Sequence, residues 1–451
     1  MQIIVLGLGK VGGLLTQYIS EENHDVTVID LSASRIDEYV NQYDVIGVCG
    51  NGATKSVLME AGADKADIMI CVTSSDELNI LAGLIAQKLG TKNIIARVRK
   101  PEYSKQVNFM KEQLGFSMIV NPELEAANDI IRTLAYPSAV KVEVFSKGKV
   151  EVVDLFIDED SKLNNVKLSE LNKITKANIL VCAVNRKQHA IIPDGNFVIQ
   201  NKDHVYVTGL SKDLVKFFND INLNNTPVKN AMIIGGGTLG YYLAQNLAIQ
   251  GIKVKIIENN SARAVHLARE LPFATVIEAN GIDEETLIEE GIMKTDSFIS
   301  LTGLDEQNLV LTLYAKQFVH KTIAKVTRVN LTGISDMVGI TSVVSPKTVI
   351  ANQILKYIRT KSSDDSNSVL NLYKIVDGKV EIVELEANNH VKCLNTPLSK
   401  IKTKDNTLIA AIIRNGEFIL PRGNTCVEDG DHVLVVTSHH IESLNGILMG
   451  E

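Results

Sequence analysis

The chain has 451 residues, 45% of them hydrophobic and 22% charged, with a formal net charge of −7. This is a globular composition of about three domains by length alone, and its acidic balance argues against general nucleic-acid binding, which uses a basic surface. No apolar run approaches the roughly 18 residues of a membrane helix, and the opening MQIIVLGLGKVGG reads as a buried strand rather than a secretory leader.

Residues 1–135 alternate β-rich runs with amphipathic helical stretches. The strands read QIIVL, DVTVI, DVIGV, DIMICV and NIIARV, and segments such as ELNILAGLIAQKLG place apolar residues at helical spacing. Alternating β and α elements predict a parallel sheet covered on both faces. After Pro137 the segments shorten and alternate more strictly: AVKVEVF, VEVVDLF, ILVCAV, AIIP and HVYVTG, separated by turns such as Asp194-Gly195-Asn196. That pattern predicts a small α+β domain. The polar stretch from Asn219 to Pro227 is the expected linker to the next domain.

The chain then repeats itself. IIVLGLGKVGGLLTQYI…VTVID returns as AMIIGGGTLGYYLAQNL…VKIIE. Gly7 and Gly235 lie 228 positions apart, as do Asp30 and Glu258. With a one-residue slip, Asn51 and Asn280, Thr73 and Thr302, and Asn79 and Asn308 are each 229 apart. KVEVVDL matches KVEIVEL, and IIPDGN…KDHVYVT matches ILPRGN…GDHVLVV. Such ordered agreement indicates a tandem duplication. The expected fold class is α/β, with two Rossmann-like parallel-sheet domains, each followed by a small α+β C-terminal domain. The expected spans are 1–135, 136–222, 228–360 and 361–451, with the polar run Lys361–Ser368 as the last linker.

Gly7-Leu8-Gly9-Lys10-Val11-Gly12 follows an apolar strand and opens an apolar-periodic helix, and Asp30 ends the second strand. This is the context a dinucleotide-binding loop requires. Gly7 permits the tight turn, Gly9 lets backbone approach a pyrophosphate, and Gly12 allows close helix–sheet packing. The helix N-terminus offers unpaired N–H groups to phosphate, and Asp30 offers acceptors to ribose hydroxyls while disfavouring a 2′-phosphate. Lys10 in the first helical turn opposes the helix dipole unless a phosphate relieves it. The second loop keeps Gly235, Gly237 and Gly240 and ends its second strand with Glu258, but Thr238 stands where the first has Lys10.

Further binding candidates lie at the carboxyl ends of the strands, where open α/β sheets take ligands. These are Asn51 and Gly52 after the third strand, Thr73 after the fourth, and Arg97 and Arg99 at the fifth, which become Lys325 and Thr327 in the repeat. Arg35 is either adenine-proximal or a surface helical arginine. Asn79 and Asn308 read as packing residues, His204 and His432 as structural, and His439-His440 as a solvated pair. Five widely spaced cysteines without a CxxC give neither a disulfide framework nor a zinc site, and point to a reducing cytoplasm. No GxSxG, HExxH or P-loop signature is present. Neither catalytic nor metal-ligating residues are assigned; an NAD-dependent oxidoreductase is the enzymatic alternative.

GLGKVG, VTVID, GNGATKSVLMEAGADKAD, VTSSDELN and IIARVRKPEY resemble the N-terminal domain of the RCK (regulator of K⁺ conductance) family. The IPDGN…KDHVYVTG and LPRGN…GDHVLVVT segments resemble its C-terminal domain. The tandem order is similar to the TrkA family, the peripheral subunits of the bacterial Trk potassium-uptake system. The resemblance implies binding of NAD(H), with ATP and ADP as alternative nucleotides, at Gly7, Gly9, Gly12 and Asp30. It implies pairing of domains through the helix after Asn121-Pro122. It also implies a homo-oligomeric ring, expected as a tetramer, docked on a TrkH/TrkG-type membrane potassium channel or transporter subunit at the inner face of the cell membrane. A soluble regulator of another cation transporter is the alternative within the same class.

Overall fold

The computed structural model describes residues 1–223, 226–328, 339–340, 342–362, 369–375 and 378–449. The expected linker run Lys361–Ser368 falls largely outside them. By spatial proximity the chain forms two compact bodies. The first contains Met1–Asn128 with Gly236–Gln245 and Ser345–Leu355; the second contains Asp129–Gly235, Asn246–Val344 and Lys356–Glu451.

In the first body the chain runs β1 (Gln2–Leu6), α1 (Lys10–Glu21), β2 (Asp25–Asp30), α2 (Ala33–Gln42), β3 (Val45–Cys49), α3 (Lys55–Glu60), β4 (Ile68–Cys71), α4 (Asp76–Leu89) and β5 (Asn93–Arg97). Two short helices, α5 (Pro101–Ser104) and α6 (Val107–Glu112), lead to β6 (Met118–Val120) and α7 (Pro122–Leu134). The strands form one parallel sheet in the order β3-β2-β1-β4-β5-β6. Strands β1 and β4 are buried along most or all of their length, because helices cover both faces. The order reverses between β1 and β4, which places a crevice at their carboxyl ends.

The second body holds β7 (Lys141–Phe145), β8 (Val150–Phe156), β9 (Ile179–Arg186), β10 (His189–Ile191), β11 (His204–Gly209) and α8 (Ser211–Asp220). The second half of the chain repeats the first: β12 (Asn230–Ile234), α9 (Thr238–Ile249), β13 (Lys253–Glu258), α10 (Ser261–Glu270), β14 (Thr275–Glu278), α11 (Glu284–Glu289), β15 (Ser297–Ser300), α12 (Asp305–Ala315), β16 (Lys321–Lys325), β17 (Val343–Val344) and α13 (Pro346–Ser362). Its sheet order β14-β13-β12-β15-β16-β17 is the same doubly wound order. The chain closes with β18 (Val369–Ile375), β19 (Val380–Glu386), β20 (Thr407–Arg414), β21 (Glu417–Ile419) and β22 (His432–Thr437).

The two small sheets, β10-β9-β11-β8-β7 and β18-β19-β22-β20-β21, are antiparallel and share one topology. Their repeated sequence signature has a structural cause. Asp203 is buried and takes Arg186 through two oxygens at 2.8 and 2.7 Å, and Asp431 takes Arg414 likewise at 2.9 and 2.8 Å. Strict alternation predicts one wet face, yet β8 and β19 are buried at nearly every position. The reason is a shared core in which Phe145, Val150 and Val152 meet Ile375, Ile382 and Leu434. Each small sheet hides its second face against the other.

Candidate functional site

The first glycine loop is built by β1, α1 and β2. Gly7 adopts φ +99°, and a Cβ there would sit 3.0 Å from the Thr73 backbone. Its amide donates to the Ile29 carbonyl at 2.8 Å, which ties the turn to β2. At Gly12 a Cβ would fall 1.8 Å from the Gly7 carbonyl oxygen, so only glycine lets the first turn of α1 lie against the loop. A Cβ at Gly9 would meet nothing within 4 Å. Gly9 is also the N-cap of α1, and it supplies no side-chain cap; no acidic residue lies in the first turn. The first-turn amides therefore face the crevice without an intrahelical acceptor, an anion-binding arrangement. Leu8 and Val11 are buried under the loop and Lys10 is exposed beside it.

Asp30 is 9% exposed and does two jobs. Its Oδ2 accepts the Leu8 amide at 2.8 Å and its Oδ1 accepts the Ser32 amide at 2.9 Å. Each carboxylate oxygen has a second lone pair, so acceptor capacity remains for a sugar hydroxyl. Arg35 lies on the exposed side at 3.7 Å from Oδ1. Asn51 and Gly52 follow β3; Asn51 holds a turn by accepting the Ala53 amide at 3.0 Å, and the Gly52 backbone lies on Leu6.

At the carboxyl ends of β4 and β5, Asn79 organises the floor. Its Oδ1 accepts the Thr73 amide at 2.9 Å and the Thr73 hydroxyl at 2.7 Å, while its Nδ2 donates to the Arg97 carbonyl at 2.9 Å. Asp76, buried at the start of α4, accepts the Arg99 and Lys100 amides, both at 2.9 Å. Asp305 and Asn308 repeat both roles: Asp305 takes the Thr327 and Arg328 amides at 3.0 Å, and Asn308 bonds Thr302 and the Lys325 carbonyl. The packing role expected of Asn79 and Asn308 is the observed one.

Arg97 stands at the carboxyl end of β5. Its Nε is buried and has no hydrogen-bond acceptor among the described residues, and Glu123 Oε2 is likewise buried without a donor among them. Loss of solvent, and then the neighbouring Arg99, lower the Arg97 pKa, while Glu123 and Asp76 oppose the shift. An unused guanidinium donor at a strand end is able to take an anion's oxygen. In the repeat Lys325 instead turns its ammonium to the Leu301 carbonyl at 3.2 Å, and Thr327 bonds Asp305.

The second loop follows the same rules. Gly235 has φ +102°, and its amide donates to the Ile257 carbonyl at 2.9 Å. Gly237 has open space where a Cβ would stand. Glu258, 9% exposed, accepts the Asn260 amide at 2.8 Å. Gly240 lies within the first turn of α9.

Sequence reasoning did not single out Asp76, Glu123 or Tyr242. The first has a signal, because DELN and DEQN recur at equivalent places. Tyr242 has none, since Leu14 stands at the matching position. Its hydroxyl donates to the Arg99 carbonyl at 2.8 Å and receives Asn121 Nδ2 at 3.0 Å, with Ser104 Oγ also at 3.0 Å. Asn121 in turn accepts the Leu124 amide at 3.1 Å and so caps α7.

Two family models match in tandem. The TrkA-N domain covers residues 3–122 and 231–346, and the TrkA-C domain covers residues 152–222 and 382–445. The chain belongs to the TrkA family. A Trk system potassium uptake protein TrkA homolog of Archaeoglobus fulgidus is 32% identical over 437 residues, spanning 96% of this chain and 97% of that one. The Trk system potassium uptake protein TrkA of Vibrio alginolyticus is 32% identical over 445 residues, spanning 96% and 95%. Among solved structures, the GsuK channel bound to NAD superposes with a TM-score of 0.62 at 16% identity, covering 97% of this chain and 76% of that one. That likeness extends the TrkA assignment to the fold: two Rossmann-like domains, each followed by an antiparallel small domain. No helix among the described residues is long and apolar enough to cross a membrane.

Proposed function

We propose that this chain is the nucleotide-sensing regulatory subunit of a potassium-uptake system. It binds NAD(H), with ATP and ADP as alternative ligands, and gates a membrane channel or transporter subunit of the TrkH/TrkG type from its cytoplasmic face. The observation that carries this reading is the first loop: an uncapped helix N-terminus, an Asp30 that both sets the loop and keeps free lone pairs, and an Arg97 donor without an acceptor among the described residues. Together they offer a place for ribose, pyrophosphate and a terminal phosphate. The names of the relatives supply potassium uptake, and the NAD in the GsuK channel is consistent with the ligand class. The contributing residues are Gly7, Leu8, Gly9, Lys10, Val11, Gly12, Asp30, Asn51, Gly52, Thr73 and Arg97, with Arg35 at the outer edge.

Gly235, Gly237, Gly240 and Glu258 provide a second, less cationic loop, which favours ligands of lower charge. The reading is of a binding regulator and not a catalyst. Swinging a gate from about 1:99 to 99:1 needs roughly 5.5 kcal/mol of differential binding. Several sites in a homo-oligomeric ring supply that where one ribose contact does not.

The test is thermal-shift binding of NADH, NAD⁺, ADP and ATP to the wild type, Asp30→Ala and Glu258→Ala. A ligand at about 100 times its dissociation constant stabilises by roughly 2.7 kcal/mol. Loss in Asp30→Ala alone assigns the first loop. No shift in wild type with any nucleotide, or turnover of NADH with a small substrate, refutes the reading. Potassium flux through the co-reconstituted membrane subunit then reports gating.

A further inference from the structure

Lys321 opens β16 and is 3% exposed. A lysine is almost never so deeply buried without a carboxylate. Among the described residues Lys321 has no ion-pair partner; its amine donates to the Ala139 carbonyl and, at 2.9 Å, to Ser342 Oγ. Ala139 sits in the short joint between α7 and β7, where the first Rossmann-like domain passes into its small domain. Ser342 Oγ also reaches the Ala139 carbonyl, at 3.5 Å. One side chain from the second half therefore pins the joint of the first.

The fold does not require a lysine at this position. In the first half Asn93, 228 positions earlier, opens β5 and donates to the Asp67 carbonyl at 3.0 Å, and Met118 stands at the register position of Ser342. The replacement of a neutral amide by an amine is specific to the second copy.

We propose that Lys321 is a pH-sensitive tie on the joint at Ala139, closed when its amine is neutral and loosened when the amine takes up a proton.

The donor count supports this. A neutral amine has two N–H groups, and two acceptors are present. An ammonium brings a third donor and a full charge into an apolar place, and both are costly there. The ionisable groups on the neighbouring elements do not neutralise it. Asp129 of α7 is paired with Arg132; Lys141 of β7 is paired with Glu143 at 3.3 Å and with Tyr373 of β18. Asp129, Thr133, Lys141 and Ser342 line a small cavity beside the tie. Burial alone lowers the Lys321 pKa, to about 7. The tie thus switches within the range that a cytoplasm spans. It uses none of the residues assigned to the nucleotide loops.

The test is amide hydrogen exchange of the full chain, without nucleotide, read at Ala139–Phe145 across pH 6 to 8 and corrected for the intrinsic rate. With an amine that titrates near 7 when closed and near 10.5 when open, the opening equilibrium falls about tenfold between those limits. Lys321→Met removes that dependence; Lys321→Asn, which copies the first half, does the same. Equal pH dependence in wild type and in both variants overturns the proposal. Should the variants not fold, an NMR titration of the lysine side-chain signals in wild type decides. A midpoint near 7 supports the tie, and the lack of any lysine midpoint below about 9 overturns it.

Discussion

Oδ2 of Asp30 accepts the amide of Leu8 at 2.8 Å, across the 22 residues that separate the second strand from the glycine loop. The acid proposed to hold a ribose is therefore also the clasp that shapes the glycine loop. Asp30→Ala removes both functions at once, and nucleotide affinity falls by about 10- to 150-fold, as expected for the loss of a charged hydrogen bond worth roughly 1.5–3 kcal/mol. Asp30→Asn keeps one oxygen for the loop but loses the charge, so it falls between the two. Isothermal titration with NADH and ADP measures the order; equal affinities in all three proteins would refute it.

Arg97 gives a prediction of opposite sign for stability and for binding. Its buried Nε has no acceptor among the described residues, so Arg97→Met removes an unsatisfied buried donor and leaves the ligand-free protein as stable as wild type or more so. The same substitution weakens ATP and ADP by about tenfold or more, because the proposed charge-assisted contact to phosphate is lost. Denaturant melts without ligand and titrations with ADP separate the two effects. A variant that destabilises the free protein by several kcal/mol would show that the guanidinium is structural.

How much of the fold and site is legible in the sequence depends on the range of the interaction. The glycine loops, the acids at β2 and β13 and the parallel sheets are local patterns of period and spacing, and they stand where the sequence places them. The packing of Asn79 is legible because its partner Thr73 is six residues away and both recur. Tyr242 is not, because its partners Arg99 and Asn121 lie more than a hundred residues away and its own counterpart is a leucine. Nor is the double burial of β8 and β19, since an alternating strand does not announce that another sheet will cover its second face.

Asn79 is fully buried, and its amide satisfies the Thr73 amide and hydroxyl together with the Arg97 carbonyl. Asn79→Ala leaves those groups without their partner and costs about 2–4 kcal/mol, read as a lower urea midpoint at unchanged slope. Asn79→Asp is also destabilising, because a carboxylate cannot donate to the Arg97 carbonyl. Both changes let the end of β5 drift, so ADP binding weakens as well. A midpoint within about 0.5 kcal/mol of wild type, near the resolution of such melts, would refute the account.

The Tyr242 hydroxyl is half of a buried network with Asn121, Ser104 and the Arg99 carbonyl. Tyr242→Phe keeps the ring and deletes only the hydroxyl. It costs about 1–3 kcal/mol, since the Arg99 carbonyl and Asn121 lose a partner within the core. Coupling is the sharper test. In a double-mutant cycle with Asn121→Ala, neighbours in one network interact by about 0.5–3 kcal/mol, whereas independent sites add. Strict additivity would mean that the hydroxyl acts alone.

Lys321 fixes the sign of a pH effect on global stability. Its pKa is lowered by burial to about 7 in the folded chain and is about 10.4 when unfolded. Between those values the unfolded chain holds a proton that the folded one does not, so stability rises with pH through this window and stays level below it. Lowering the pH from about 9 to about 7 costs ~2 kcal/mol through this one group. Lys321→Met removes that slope and is the more stable protein at pH 7, provided the methionine fills the same volume. Other groups titrate over the same interval, so the quantity to measure is the difference between wild type and variant in urea midpoint at each pH. A difference that does not change between pH 7 and 9 would show that Lys321 keeps its proton while folded.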